Sequence, residues 1–385
     1  MIQTLKSGLV VFLFICSTVV FGLDLTRLDL SFQYDVGIDT HVDYRIIDSG
    51  SDQLTIIYHV ANDTTGLWLF DILLQNGYKS ESHDTLSLEM LDTLYQDDDR
   101  VFYAIDVPRS GYDLLIFSLN NISEGIYRLY DAPLNAPGGY PSFYPIDEDG
   151  APLLSKYYTG EEISFIGLEG QVHVFQYKEE FGPADPPMGE MSALAPTLSI
   201  DSSYFVNGAK SDLMDFHFYL FQKDTLDNTG VTILKCPYYF PELRMYDQLI
   251  KPMRYISTSV ENQSLNQARE PRKAFENFWL SNYGTKFRAR SAIRFFFQRV
   301  EEANLLFTDY KQGWKTDRGI LYTIYGKPDI VIKRDRAEEW RYNSGERFEF
   351  IRIPILFTPS LYSLKRNSEY EKSWYNKVGD IRKGQ

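Results

Sequence analysis

The period of the hydrophobic pattern changes once along these 385 residues, at about residue 262, and that change divides what the chain can fold into. Before it, apolar residues come in short runs: Leu54-Thr55-Ile56-Ile57-Tyr58-His59-Val60, Leu67-Trp68-Leu69-Phe70-Asp71-Ile72-Leu73, Val101-Phe102-Tyr103-Ala104-Ile105 and Tyr112-Asp113-Leu114-Leu115-Ile116-Phe117. Turn residues separate them at Asp48-Ser49-Gly50, Asn76-Gly77, Asp97-Asp98-Asp99 and Ser110-Gly111. Short β-branched and aromatic runs between such turns specify strands, and their regular spacing predicts an antiparallel sandwich over 23–135. A Pro- and Gly-rich stretch, Ala132 to Pro145, then punctuates the chain. A second β-rich unit is expected over 136–261, with Val172–Tyr177 and Asp215–Phe221 as its clearest strands; one sandwich spanning both parts is the alternative. Phe181–Gly189 carries too much proline for a central strand and reads as a loop or linker.

After residue 262 the period approaches three and a half. Pro271 suits a first helical turn, Phe275, Phe278 and Trp279 share a face, and Gly284 can close the helix in the left-handed conformation. A longer helix over Lys286–Phe307 carries the stripe Ile293, Phe296, Phe297, Val300, Ala303 and Phe307, with Arg288, Arg290, Arg294 and Arg299 around the rest. Ile320–Tyr325 reads as a strand from its β-branched and aromatic content. Ile330–Ile332 resumes a sheet, and Asn343-Ser344-Gly345-Glu346 is a hairpin signal that puts Trp340, Tyr342, Phe348 and Phe350 on one face. The expected fold is therefore multidomain and mainly β: one or two antiparallel sandwich modules, then a C-terminal α+β domain over 262–385 with two helices followed by a small antiparallel sheet.

Charge divides the chain at nearly the same place. Residues 23–250 hold 12 basic and 37 acidic side chains, and residues 251–385 hold 26 and 16. Such polarity either draws the two halves together or presents a basic face to an anionic partner. Aromatic residues make up 15% of the chain, too many for disorder.

Residues 1–22 read as a signal peptide: Lys6 precedes an apolar run from Gly8 to Phe21, too short for a membrane span, and Val20-Phe21-Gly22 offers a cleavage site. Retention as an uncleaved anchor is the alternative. Ile15 beside Cys16 fits lipidation poorly. The mature chain is expected to hold one cysteine, Cys236, inside an apolar run, and no transmembrane span.

Gly313-Trp314-Lys315-Thr316-Asp317-Arg318-Gly319, followed by Tyr325-Gly326-Lys327-Pro328-Asp329 and Glu339-Trp340-Arg341-Tyr342, places rare residue types at a recognisable spacing. With Phe278-Trp279 and Arg299-Val300-Glu301-Glu302-Ala303-Asn304, it resembles the GWxTD domain family over roughly residues 270–380. The resemblance implies an exported envelope protein of Bacteroidetes-type bacteria, and no particular activity. One departure is Ser281–Thr285, standing where relatives carry an Arg-Asp-Pro element. Physically, Gly313 and Gly319 are expected to adopt conformations closed to other residues, Trp314 to anchor a core, and Thr316 and Asp317 to satisfy loop amides. Arg318 is expected to pair with Asp317, Asp329 or a glutamate of the preceding helix. Gly313, Trp314, Thr316, Asp317, Arg318, Gly319, Tyr325, Gly326, Pro328, Asp329 and Trp340 are the signature and candidate binding residues.

Catalytic signatures are thin. His41, His59, His83, His173 and His217 all precede residue 262, none at metal-ligand spacing from another, and residues 262–385 contain neither His nor Cys. This excludes Ser-His or Cys-His nucleophiles from the signature-bearing domain. Asp97-Asp98-Asp99 and Asp147-Glu148-Asp149-Gly150 offer oxygen ligands for calcium, yet neither follows the twelve-residue loop pattern. The expectation is a binding or scaffold protein, periplasmic or outer-membrane-associated, whose basic domain docks an envelope protein or an anionic surface component, not nucleic acid. Its rival is an exported carboxylate-dependent hydrolase acting on glycan or peptide from the β part.

Overall fold

The computed structural model describes residues 22–50, 52–61, 68–87, 89, 91–136, 138–168, 170–177, 181–189, 199–207 and 211–383. The expected leader falls outside these residues, Gly22 excepted.

Alternating runs build two packed sheets first. β1 (His41–Gly50), β2 (Gln53–Ala61), β5 (Asp92–Gln96) and β6 (Val101–Pro108) pair in the order β1-β2-β6-β5. β3 (Trp68–Gln75), β4 (His83–Leu86), β7 (Leu114–Asn121) and β8 (Ile126–Pro133) pair in the order β4-β3-β7-β8. All these pairings are antiparallel. Ile56, Tyr58 and Ile105 from one sheet meet Ile72, Leu115 and Phe117 from the other in one core.

A second pair of sheets follows. β9 (Tyr144–Ile146), β11 (Glu162–Ile166) and β14 (Ser211–Asp212) form one. β10 (Tyr157–Tyr158), β12 (Gln171–Tyr177), β13 (Ser202–Asn207), β15 (Phe218–Gln222) and β16 (Val231–Lys235) form the other, in the order β10-β16-β15-β12-β13. Only β10 and β16 run parallel among the described pairings. Every residue of β15 and β16 is buried, because both faces of the five-stranded sheet are covered. Tyr219 and Ile233 face the smaller sheet, whereas Phe218, Leu220 and Cys236 pack with Tyr310 and Leu361 from the end of the chain.

The C-terminal part gathers helices around a four-stranded antiparallel sheet. α1 (Tyr246–Ile250), α2 (Ser259–Asn266), α3 (Pro271–Tyr283) and α4 (Lys286–Phe307) precede α5 (Asp317–Tyr325). β17 (Ile330–Arg334), β18 (Ala337–Arg341), β19 (Arg347–Ile355) and β20 (Thr358–Leu364) pair sequentially, and α6 (Glu371–Lys383) returns across the helices. Gly284 ends α3 at φ +70°, and the Thr285 hydroxyl then caps α4. Ile320–Tyr325, read as a strand, is instead the body of α5. The Thr316 hydroxyl caps that helix, and every residue from Gly319 to Tyr325 is buried, so local β preference gives way to tertiary packing. α6 is a further departure from a unit ending in its sheet: Trp374 and Ile381 on one face close the core beneath α3.

The two ends of the chain are joined. Leu30 donates its amide to Val331 O at 2.8 Å, and the Val331 amide donates to Asp29 Oδ1 at 2.9 Å, which closes the free edge of β17. Tyr34 lies in the core of the C-terminal part. Lys333 of β17 reaches Asp131 of β8 at 2.8 Å with both side chains buried, and Lys327 pairs with Asp35 at 2.6 Å nearer the surface. The opposed charges of the two halves thus meet partly within the molecule.

Candidate functional site

The Gly-Trp turn exists because α4 and α5 lie almost against each other's backbones. A methyl group on Gly313 would stand 1.8 Å from Ala303 O of α4, and one on Gly319 would stand 1.8 Å from Gly313 O. Backbone packs on backbone through two layers, so no side chain fits at either glycine. Neither has a positive φ, which corrects the expectation that they supply unusual conformations. Space, not torsion, requires them.

The remaining signature residues lock this stack. Trp314 is buried beside Tyr255, giving its indole N–H to Gln312 Oε1 at 2.8 Å and its backbone amide to Asn304 Oδ1 at 3.3 Å. The Thr316 hydroxyl donates to Gly313 O at 2.8 Å and accepts the Gly319 amide at 3.0 Å. Asp317 Oδ1 accepts Arg366 Nη2 at 2.6 Å and its Oδ2 accepts the Leu364 amide at 2.7 Å, tying the end of β20 to the start of α5. Gly326, at φ +82°, closes α5, and its carbonyl accepts the Tyr342 hydroxyl at 2.9 Å. Tyr325 packs against Phe348 and Tyr342, Pro328 is buried, and Asp329 Oδ2 accepts the Asn343 amide at 2.7 Å.

Arg318 takes none of the partners expected from sequence. It turns inward, donating Nη1 to the Tyr34 hydroxyl at 3.1 Å, 3.8 Å from Glu338 Oε2, with its guanidinium 4.0 Å over the Tyr362 ring. The fully buried Glu338 accepts the Tyr34 hydroxyl at 2.7 Å and the Trp340 indole N–H at 2.6 Å. Burial works against the Arg318 cation, but Tyr34 and Glu338 outweigh it and hold the group above its ordinary value. Burial likewise opposes the Lys333 cation, and Asp131, Tyr34 and Glu338 reverse that. Asp131 stays below the usual carboxylate range despite burial, because Lys333, Tyr78 and Gln33 all donate to it. These groups form one hydrogen-bonded network between sandwich and C-terminal part. Glu338, Lys333 and Arg366 escape a local reading; the one signal for Glu338 is its place two residues before Trp340, on the same inward face of a strand.

The acidic turns of the β part are similarly occupied. Asp97 Oδ1 accepts the amides of Asp99 and Arg100, and Asp147 Oδ1 accepts those of Asp149 and Ala151. Beside Trp314 opens a polar cleft of about 490 Å³ whose lining includes Lys251, Arg254 and Lys315 and one carboxylate, Asp247. Burial pushes the neighbouring Lys311 ammonium down to about 8.

One solvent face stands apart. From Asn277 to Val300 there is no Asp or Glu. Lys286, Phe287, Arg288, Arg290, Ser291, Arg294 and Phe295 of α4 are all exposed, with 81% of Phe287 uncovered. Phe287, Ser291 and Phe295 recur every fourth residue and so form a ridge, with Arg290 and Arg294 on one flank and Arg288 on the other. A groove along this ridge runs to Ile381 and Lys383 of α6.

Residues 217–383 match the GWxTD domain family. The matched segment begins at β15, upstream of the change in hydrophobic period. No curated protein matches the chain.

Proposed function

We propose that this chain is a non-enzymatic, exported protein of the bacterial envelope, in which β modules carry a basic GWxTD domain that docks an envelope protein or an anionic envelope component. The observation that carries this reading is the α4 face: four exposed cations around two exposed phenylalanines, with no carboxylate for 24 residues. Long-range attraction to a negative surface, followed by insertion of aromatic side chains, is what such a face supplies. The signature supports the reading in a different way. Its glycines, Trp314, Asp317 and Arg318 are engaged in holding α4, α5 and the sheet together, so the signature sets the position of α4. A periplasmic or outer-membrane-associated location follows from the same proposal.

The hydrolase alternative needs two carboxylates converging on a cleft. The cleft beside Trp314 has one in its lining, and in the acidic turns Asp97, Asp147 and Glu148 accept backbone amides.

The test is cosedimentation of the full mature chain with isolated envelope membranes across a salt series. Binding should weaken as salt rises, and the triple substitution R288Q/R290Q/R294Q should reduce the bound fraction and flatten that dependence. Phe287→Ser should reduce binding without changing the salt slope. Equal sedimentation of the triple variant and the parent overturns the proposal.

A further inference from the structure

Several buried or half-buried cations in this fold pair with carboxylates. Lys333 has Asp131, Arg318 has Glu338, Arg366 has Asp317 and Lys235 has Asp215. Where the sandwich, the second β unit and the sheet of the GWxTD domain meet, a cavity of about 180 Å³ is lined by Arg45 of β1, Lys156 before β10 and Arg352 of β19, and by no Asp or Glu. None of the three makes a salt bridge among the described residues.

The buried Arg45 gives Nε to Leu153 O at 2.9 Å and Nη2 to Ser155 O at 3.0 Å, which fixes the guanidinium and leaves Nη1 without an acceptor among the described residues. Lys156 Nζ has no acceptor among them either. Arg352 has only a long contact, 3.5 Å, to Asn135 O. Burial holds both Arg45 and Lys156 below their ordinary values, and the one anion that both feel is Asp309. Asp309 is itself shifted upward by burial; its Oδ2 accepts the Thr358 hydroxyl at 2.6 Å, and its buried Oδ1 has no partner. One carboxylate against three cations leaves the site positive. Holding even partly buried cations together without a carboxylate in the lining opposes folding. The rest of the lining is apolar or neutral and includes Ile46, Leu154, Ile355, Phe357, Asn228 and Thr229.

We infer that this junction cavity is a binding site for a small organic anion, with Arg45, Lys156 and Arg352 holding a carboxylate or phosphate head and the apolar wall taking its body. The site is distinct from the α4 face, so either can fail without the other. It also makes the ligand a bridge, since each cation comes from a different structural unit.

The test uses the full chain with phenylacetate and phenyl phosphate as probes and neutral phenylacetamide as control, followed by calorimetry and thermal shift. One or both anions should bind and raise the melting temperature while the amide does not; whichever anion binds more tightly identifies the head group. K156Q should weaken that anion by about tenfold or more, the loss of one charge-assisted contact. With no anion present, K156Q should melt at or above the parent, because it removes a half-buried cation that repels Arg45; this separates a ligand role from a structural one. Failure of both anions to bind, equal binding of the amide, or unchanged affinity in K156Q overturns the inference.

Discussion

Replacing Lys333 by methionine tests whether the buried pair with Asp131 joins the sandwich to the C-terminal part. The side chains are 10% and 5% exposed, and Asp131 also accepts Gln33 Nε2 at 3.0 Å and the Tyr78 hydroxyl. Removing one partner of such a pair leaves a carboxylate stranded in low dielectric, a loss of about 3–5 kcal/mol. Protonation sets a ceiling. An aspartate of ordinary pKa, about 3.9, can be neutralised at pH 7 for about 4 kcal/mol, so the loss should not exceed about that figure. The matched control is Lys327→Met at the Lys327–Asp35 pair, whose side chains are 38% and 35% exposed and which should cost about 0–1 kcal/mol. Urea unfolding at pH 7 measures both, and calorimetry should resolve two transitions in K333M if the units are uncoupled. Adding Asp131→Asn to K333M should recover part of the loss, because the stranded charge is gone. Equal losses for K333M and K327M, or a double variant no better than K333M, would refute the argument.

Glycine substitutions should divide by space and torsion. Gly313→Ala and Gly319→Ala place a methyl 1.8 Å from a backbone oxygen and should each cost ~3 kcal/mol or more, whereas Gly379→Ala in α6 meets nothing within 4 Å and should stabilise by about 0.5–1 kcal/mol in thermal unfolding. The Arg382 hydrogen bonds hold Glu261 down to about 2 from its ordinary 4.5. The pair therefore contributes above the unfolded carboxylate value and fades as pH falls towards about 2, so the stability gap between the parent and Glu261→Gln should shrink over that window.

Much of the β architecture was legible because it is written locally. β2, β3, β6 and β7 alternate or run apolar between turns, and the register of β18 against β19 follows from the Asn343–Glu346 turn. α3 and α4 were legible for the same reason at a different period. α5 was not: a helix buried on every side has no amphipathic face to read, and Ile320, Tyr322, Thr323 and Tyr325 favour strands on composition alone. α6 did carry a signal, with Trp374, Val378 and Ile381 at helical spacing in a polar stretch. At the signature, the residues stand close together in sequence, but several of their partners lie far away. Arg318 finds Tyr34 across 284 positions, and nothing near either residue announces the other.

The clasp of Leu30 and Asp29 on Val331 also sets a clock. Roughly 300 residues separate its two sides, and at about 5–20 residues per second the later side is synthesised about 15–60 s after the earlier one. Through that interval Leu25 and Leu30 can already pack on the sandwich with Leu73, Tyr78 and Leu114, but Tyr34 has neither Glu338 to accept its hydroxyl proton nor Arg318 to donate to its oxygen. The arrival of β17 and β18 therefore decides when Tyr34 becomes native. A chain released before Val331 leaves the Leu30 amide and the Tyr34 hydroxyl without their partners, whatever the quality of the sandwich already formed.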